Sequence, residues 1–260
     1  MSSDSSIIDL IAVELFEAER QGIPVDPISG RYPALTPDDA YAIQEAYVRL
    51  RTQSGATLVG RKVGATSVAI QELFGIHTPD YGHIFDDMVV ADGQIPLADL
   101  IQPLVEPELA FVFDRDLRGP GIERADVLEA VVGIAPCIEI IDSRIRAWDI
   151  EYVDTVADNG SSARCVFGDV LHLGGLDLAS VVGTLFRNDV SVGTAVGAAV
   201  LGHPADAVAW LANELGRLES SLLEGQWVLS GSFMTAVPGS RGDTFSAAFD
   251  GLGSVSCQFI

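Results

Sequence analysis

The run Val105-Glu106-Pro107-Glu108-Leu109-Ala110-Phe111-Val112-Phe113 sets two carboxylates two positions apart in otherwise apolar sequence. Side chains alternate along a strand, so a strand here puts Glu106 and Glu108 on one face. Further on, Pro136-Cys137-Ile138-Glu139-Ile140 embeds a third carboxylate, Glu139, in a second apolar run. Burying three acids together is costly unless positive charge neutralises them. All-oxygen ligation suits a hard divalent cation, Mg2+ or Mn2+, which keeps open positions for water and substrate. The pattern points to a metal-dependent enzyme. It also fits a solvated strand face, or glutamates paired with Arg115 and Arg144.

Three further places carry residues able to bind or move protons. Lys62 stands beside Arg61 between Gly60 and Gly64, where a surface lysine is the bland reading. Asp80 lies in Pro79-Asp80-Tyr81-Gly82, a composition common in turns. Asp158-Asn159-Gly160-Ser161 also has turn chemistry. The four histidines show no metal-ligand spacing: His77 falls in a loop, and His83, His172 and His203 read as structural or surface residues.

The elements that must position these groups change character near residue 55. Ile7, Ile8, Ile11, Leu15 and Phe16 recur at helical spacing until Pro24 and Pro27 intervene. A second helix is announced by Thr36 as N-cap, Pro37 in the first turn and Asp39, with Ala40, Ile43, Tyr47 and Leu50 as its apolar face. From Leu58 onward short strands dominate, expected at 58–64, 105–113, 137–142, 163–171, 189–200 and 226–231. A closing hairpin is expected over 244–250 and 253–259, turning at Asp250-Gly251. Helices are expected near 124–133 and 205–219. This divides the chain into a helical N-terminal segment, 1–55, and a β-rich domain, 56–260. Many strands with few crossover helices give an α+β fold with a mixed, barrel-like β core.

Composition excludes several function classes. At 260 residues the chain can bury a substantial core. A net charge of −22, from 15 basic and 37 acidic residues, argues against nucleic acid and anionic membranes as partners. Cys137, Cys165 and Cys257 lie in apolar runs and read as buried free thiols of a reducing compartment. With no basic-then-apolar leader pattern and no apolar run of spanning length, a cytoplasmic protein is expected. The glycine-rich stretches lack a G-x-G-x-x-G or Walker pattern, so a nucleotide cofactor is not expected.

Gly60-Arg61-Lys62-Val63-Gly64, Pro79-Asp80-Tyr81-Gly82, the V-E-P-E-L-A-F run, Ile141-Asp142-Ser143-Arg144-Ile145 and Asp154-Thr155-Val156-Ala157-Asp158-Asn159 form an ordered series. In order and spacing it resembles the 2-keto-4-pentenoate hydratase/4-oxalocrotonate decarboxylase family of the fumarylacetoacetate hydrolase superfamily. The resemblance runs from about residue 5 to the Gly-Leu-Gly-Ser-Val motif at 251–255. It implies a mixed β-roll or barrel core preceded by a small helical segment.

The resemblance also implies that Glu106, Glu108 and Glu139 hold one divalent metal, Mg2+ or Mn2+, which chelates the substrate through its 1-carboxylate and 2-oxygen. Lys62 and Asp80 become the catalytic couple, and Ser161 and Arg61 substrate-binding residues. The family usually has alanine where Gly160 stands, and many relatives have leucine at Ala65. The implied reaction is hydration of 2-hydroxypenta-2,4-dienoate, or a close analogue, to a 4-hydroxy-2-oxo acid. The alternatives are decarboxylation of 4-oxalocrotonate and hydration of 2-oxohept-4-ene-1,7-dioate. Either of these diacids needs a second cationic anchor, for which Arg164 is a candidate. Hydrolysis of a carbon–carbon bond is disfavoured, because no histidine–glutamate dyad stands out early in the chain. A homo-oligomer, pentameric or decameric, is implied, with association of a pathway partner enzyme. A catalytically silent partner subunit is the contrasting class, disfavoured by the presence of the three glutamates with Lys62 and Asp80.

Overall fold

The amphipathic spacing at the N-terminus produces the expected helices. In the computed structural model, which describes residues 5–67, 71–72 and 75–260, Ser5–Gln21 (α1) buries Ile11, Leu15 and Phe16 along one stripe. After a single turn at Ile28–Arg31 (α2), Pro37–Gln53 (α3) begins at Thr36. The Thr36 hydroxyl accepts from the Asp39 N–H, and the Asp39 carboxylate accepts from the Thr36 N–H at 2.9 Å. This reciprocal cap satisfies donors that a helix start otherwise leaves open. Ala40, Ile43 and Tyr47 are buried as the spacing predicts, while Leu50 is half-buried.

Twelve strands follow among the described residues: β1 (Leu58–Gly64), β2 (Asp80–Phe85), β3 (Gln94–Ile95), β4 (Leu104–Phe113), β5 (Val131–Ile141), β6 (Ser162–Phe167), β7 (Val182–Arg187), β8 (Val190–Val196), β9 (Trp227–Leu229), β10 (Val237–Pro238), β11 (Thr244–Phe249) and β12 (Gly253–Phe259). Three more α-helices intervene among the described residues: α4 (Arg124–Ala130), α5 (Tyr152–Ala157) and α6 (Pro204–Arg217). One curled sheet has the order β2-β1-β9-β4-β5-β6, with β10 added to β4. The other runs β3-β12-β11-β7-β8. Most neighbours are antiparallel, but β1–β9 and β3–β12 are parallel, which makes the core mixed. The fold is α+β, with a β-roll core and a helical N-terminal segment.

Alternation along β4 divides the molecule into two interiors. Val105, Leu109, Phe111 and Phe113 face a core shared with Phe245, Val255 and Phe259 of the second sheet. Glu106, Glu108 and Ala110 face the other way, where Ala110, Cys137 and Leu229 pack with Ile11, Leu15, Ile43 and Tyr47 of the N-terminal helices. The same ten-residue strand thus builds the inter-sheet core and the wall of a separate polar site.

Several sequence expectations are corrected in detail. β2 and β7 were not expected, and Asp80 opens a strand instead of sitting in a turn. The helix expected to reach residue 133 ends at Ala130, because the β-branched Val131 and Val132 begin β5. The strands expected over 163–171 and 189–200 stop at Phe167 and Val196.

Candidate functional site

The register of β4 against β5 assembles the carboxylates. Glu106 lies directly opposite Glu139, and Glu108 opposite Cys137, so the three glutamates occupy one patch of one sheet face. A ligand oxygen from each lies within 4.8 Å of the others. Glu108 accepts the Gly231 N–H at 2.8 Å. Both oxygens of Glu139 are buried without a hydrogen-bond partner among the described residues. Burial and the neighbouring carboxylates push Glu108 well above the ordinary range; burial pushes Glu106 up to about 7, against the pull of Lys62. Directly opposed like charges destabilise a strand pair, and an orphaned buried carboxylate is a group awaiting a partner. A hard dication fits this donor set.

The arginines considered as alternative partners are engaged elsewhere. Arg115 pairs with Asp114 at the surface, and Arg144 pairs with Asp158 at 2.6 Å. The basic group that does reach the glutamates is Lys62, whose Nζ is 3.7 Å from Glu139 Oε2. Burial pushes the Lys62 ammonium down, but Glu139, Asp80, Glu106 and Glu108 outweigh it and hold the group above the usual lysine range.

Asp80 joins through the β1–β2 register. Lys62 faces Gly82 and Gly64 faces Asp80, so the Asp80 side chain is the diagonal neighbour of Lys62 on the same face. The Asp80 carboxylate folds over Gly64, where a Cβ would lie 2.1 Å from its Oδ1. Glycine is what lets the two catalytic candidates meet. Burial raises Asp80 above the ordinary carboxylate range despite Lys62.

The two residues expected to bind substrate are placed differently. Arg61 alternates to the opposite strand face, where it donates to the Gly60 carbonyl at 3.3 Å and lies near Glu45 and Tyr81. Burial brings Arg61 down to about 10. It does not line the cavity that Glu106 and Glu108 face. His83 sits on that same far face, 3.6 Å from Glu45, so the one histidine–glutamate pair near β1 points away from the cavity. Ser161 does line the cavity, but its hydroxyl donates to Asp158 at 2.9 Å and its N–H to the Asp158 carbonyl at 2.9 Å. Both of its donors are therefore committed within the protein.

That commitment belongs to a built-in clamp. Asn159, Gly160 and Ser161 all have positive φ, a conformation that costs non-glycine residues roughly 1–2 kcal/mol each. Asn159 is held there because its side chain accepts the His83 N–H at 2.7 Å and donates to the His83 carbonyl at 2.9 Å. Gly82 allows the approach: a Cβ there would lie 2.5 Å from the Asn159 carbonyl oxygen. Asp158 is fixed in turn by Arg144 and by the Ser143 hydroxyl at 3.2 Å.

The patch opens into a cavity of about 1210 Å³. Its walls include Trp148, Ile150, Tyr152, Phe233 and Met234, none of which sequence reasoning placed at the site. Trp148 and Ile150 carry no local signal in the sequence. Trp148 is oriented by a hydrogen bond from its indole N–H to the Gln102 carbonyl at 2.9 Å.

Comparison with known proteins agrees with this geometry. Residues 71–260 match the family described as fumarylacetoacetate (FAA) hydrolase C-terminal. The chain is 42% identical over 261 residues to the 2-hydroxyhexa-2,4-dienoate hydratase of Comamonas testosteroni, covering 99% of each chain. It is also 42% identical to the 2-oxo-hept-4-ene-1,7-dioate hydratase of Escherichia coli, covering 96% of this chain and 97% of the relative. Among solved structures, the 4-oxalocrotonate decarboxylase of Pseudomonas putida G7, complexed with magnesium and adipate, superposes with a TM-score of 0.96 at 34% identity, covering 100% of this chain and 99% of the other. Motif order, fold, carboxylate cluster and these likenesses converge: the chain belongs to the fumarylacetoacetate hydrolase family.

Proposed function

We propose that the protein is a metal-dependent hydratase that adds water to 2-hydroxypenta-2,4-dienoate or a close analogue, giving a 4-hydroxy-2-oxo acid. The observation that carries this reading is the convergence of Glu106, Glu108 and Glu139 beside Lys62 and Asp80, all but the fully buried Glu139 lining one cavity. A divalent ion held by the three glutamates would supply Lewis acidity toward the 1-carboxylate and 2-oxygen of the substrate.

The protein's own groups account for the remaining needs. Lys62 presents a fixed positive charge toward the substrate carboxylate. Lys62 and Asp80, adjacent and both buried, form a couple able to pass a proton. The enol proton leaves O2 and a proton arrives at C5, giving the 3-ene-2-oxo acid. The oxygen of water then bonds to C4, C3 takes up a proton, and the couple accepts the proton that water loses. The apolar wall of Trp148, Ile150 and Phe233 limits bulk water around the reacting diene.

Decarboxylation of 4-oxalocrotonate is the second reading, supported by the 0.96 superposition on the decarboxylase. The buried free thiols Cys137, Cys165 and Cys257 suit a reducing cytoplasm, and we propose a homo-oligomeric assembly there. Among the described residues, no helix is long and apolar enough to cross a membrane.

NMR of purified protein with Mg2+ and fresh 2-hydroxypenta-2,4-dienoate tests the proposal. It should show 4-hydroxy-2-oxopentanoate, and a chelator should abolish its formation. Unchanged dienoate alongside CO2 release from 4-oxalocrotonate would overturn hydration in favour of decarboxylation.

A further inference from the structure

The cavity carries its positive charge at one place only. Lys62 is the single lysine, arginine or histidine that lines it among the described residues. The residues outside that set, Met1–Asp4, Val68–Ile70, Leu73 and Phe74, include no basic side chain. Yet the surrounding segments are not poor in arginine; each one is turned away or taken. Arg61 lies on the far face of β1. Arg144 is buried against Asp158 at 2.6 Å. Arg146 is at the surface, 2.9 Å from Asp26. Arg164, the candidate second anchor, donates to the Ala163 carbonyl at 2.8 Å and is not part of the wall.

Besides neutral hydroxyl groups, what the wall offers instead is apolar surface and negative charge. Trp148, Ile150, Phe233 and Met234 provide the apolar part. Glu72, Asp149 and Glu151 line the same cavity and are exposed, which puts three carboxylates at its mouth. With Lys62 engaged by the first carboxylate of a substrate, a second carboxylate would be desolvated without a counter-ion and would face charges of its own sign. Selectivity of this kind comes from a built-in repulsive element as much as from attraction.

We infer that the cavity accepts 2-oxo and 2-hydroxy acids with a single carboxylate and an uncharged tail, and that Asp149 and Glu151 at its mouth select against diacids. The inference rests on the hydratase reading only in taking the 2-oxo acid end to lie at Lys62 and the glutamate cluster. It separates this chain from the two diacid activities named for its relatives, the 1,7-dioate hydratase and the 4-oxalocrotonate decarboxylase.

Calorimetry on the full-length Mg2+-loaded protein tests it with two unreactive acids of equal length, 2-oxohexanoate and 2-oxohexanedioate. The monoacid should bind at least ~10-fold tighter, with a wider gap at low salt because exposed charges are screened over a Debye length of about 10 Å at 0.1 M. The double variant Asp149→Asn/Glu151→Gln should narrow the gap by improving diacid binding. Equal affinities, or tighter diacid binding, would overturn the inference. A gap that the double variant leaves unchanged would overturn the assignment to Asp149 and Glu151. Failure of the dienoate to hydrate with the monoacid preference intact would count against the hydratase alone. Hydration with equal binding of the two acids would count against the inference alone.

Discussion

Replacing Glu139 by glutamine is expected to abolish divalent-ion binding while raising the melting temperature of the ion-free protein. Glu106, Glu108, Glu139 and Asp80 share one positive side chain, Lys62, in a buried patch. Glu139 is directly opposite Glu106, and neither of its oxygens has a hydrogen-bond partner among the described residues. Removing that charge relieves repulsion that Lys62 offsets only in part when no ion is bound. The native protein should gain about 2.7 kcal/mol from Mg2+ at ~100 times its dissociation constant, roughly 5–10 °C for a chain of this size. The variant should gain nothing. Loss of a Lewis acid worth several kcal/mol should lower turnover by ~10³-fold or more. Thermal scans with and without Mg2+, paired with calorimetric titration, check both signs. An equal Mg2+-dependent rise in the two proteins would put the ion elsewhere.

The ion-free protein should also depend on pH in a defined direction. Burial holds Glu106 up to about 7, above its unfolded value of about 4.3. A carboxyl group raised in this way contributes stability that is present below about pH 4.3 and lost as pH climbs through about 7. Bound Mg2+ should remove that dependence.

Replacing Lys62 by methionine keeps most of the length of the side chain and removes its charge. A general acid–base group contributes ~10²–10⁴ in rate, so turnover should fall by that order while the three glutamates still bind the ion. Stability in the absence of ion should fall by about 3–5 kcal/mol, the usual result of leaving buried charge unpaired. Adding Asp80→Asn should return part of the stability and none of the activity, because it removes one of the stranded carboxylates. Full activity in Lys62→Met would remove the lysine from the mechanism.

The parts of the site readable in the sequence are those set by local periodicity. Glu106 and Glu108 share a face because strands alternate, and Lys62 keeps its glycine neighbours because alternation puts Gly60 and Gly64 on its own side. Alternation also sends Arg61 to the other face, so the two basic residues next to each other in sequence part company in space. Asp80 was harder to place. Its turn-like surroundings hide a strand that exists because β1 supplies an antiparallel partner. Asp158 shows a second limit: its acceptors are filled by Arg144, Ser143 and Ser161, contacts that depend on how loops return to one another. Trp148 reaches the cavity through a backbone with positive φ at Ala147 and Trp148, which no residue preference announces.

The most direct test of the central claim is an anomalous difference map from crystals soaked in Mn2+ and 2-oxohexanoate. The account predicts one strong peak per chain coordinated by Glu106, Glu108 and Glu139, with the acid bound at the peak and its carboxylate facing Lys62. A peak at other residues, or no peak with the acid bound elsewhere in the cavity, would contradict it.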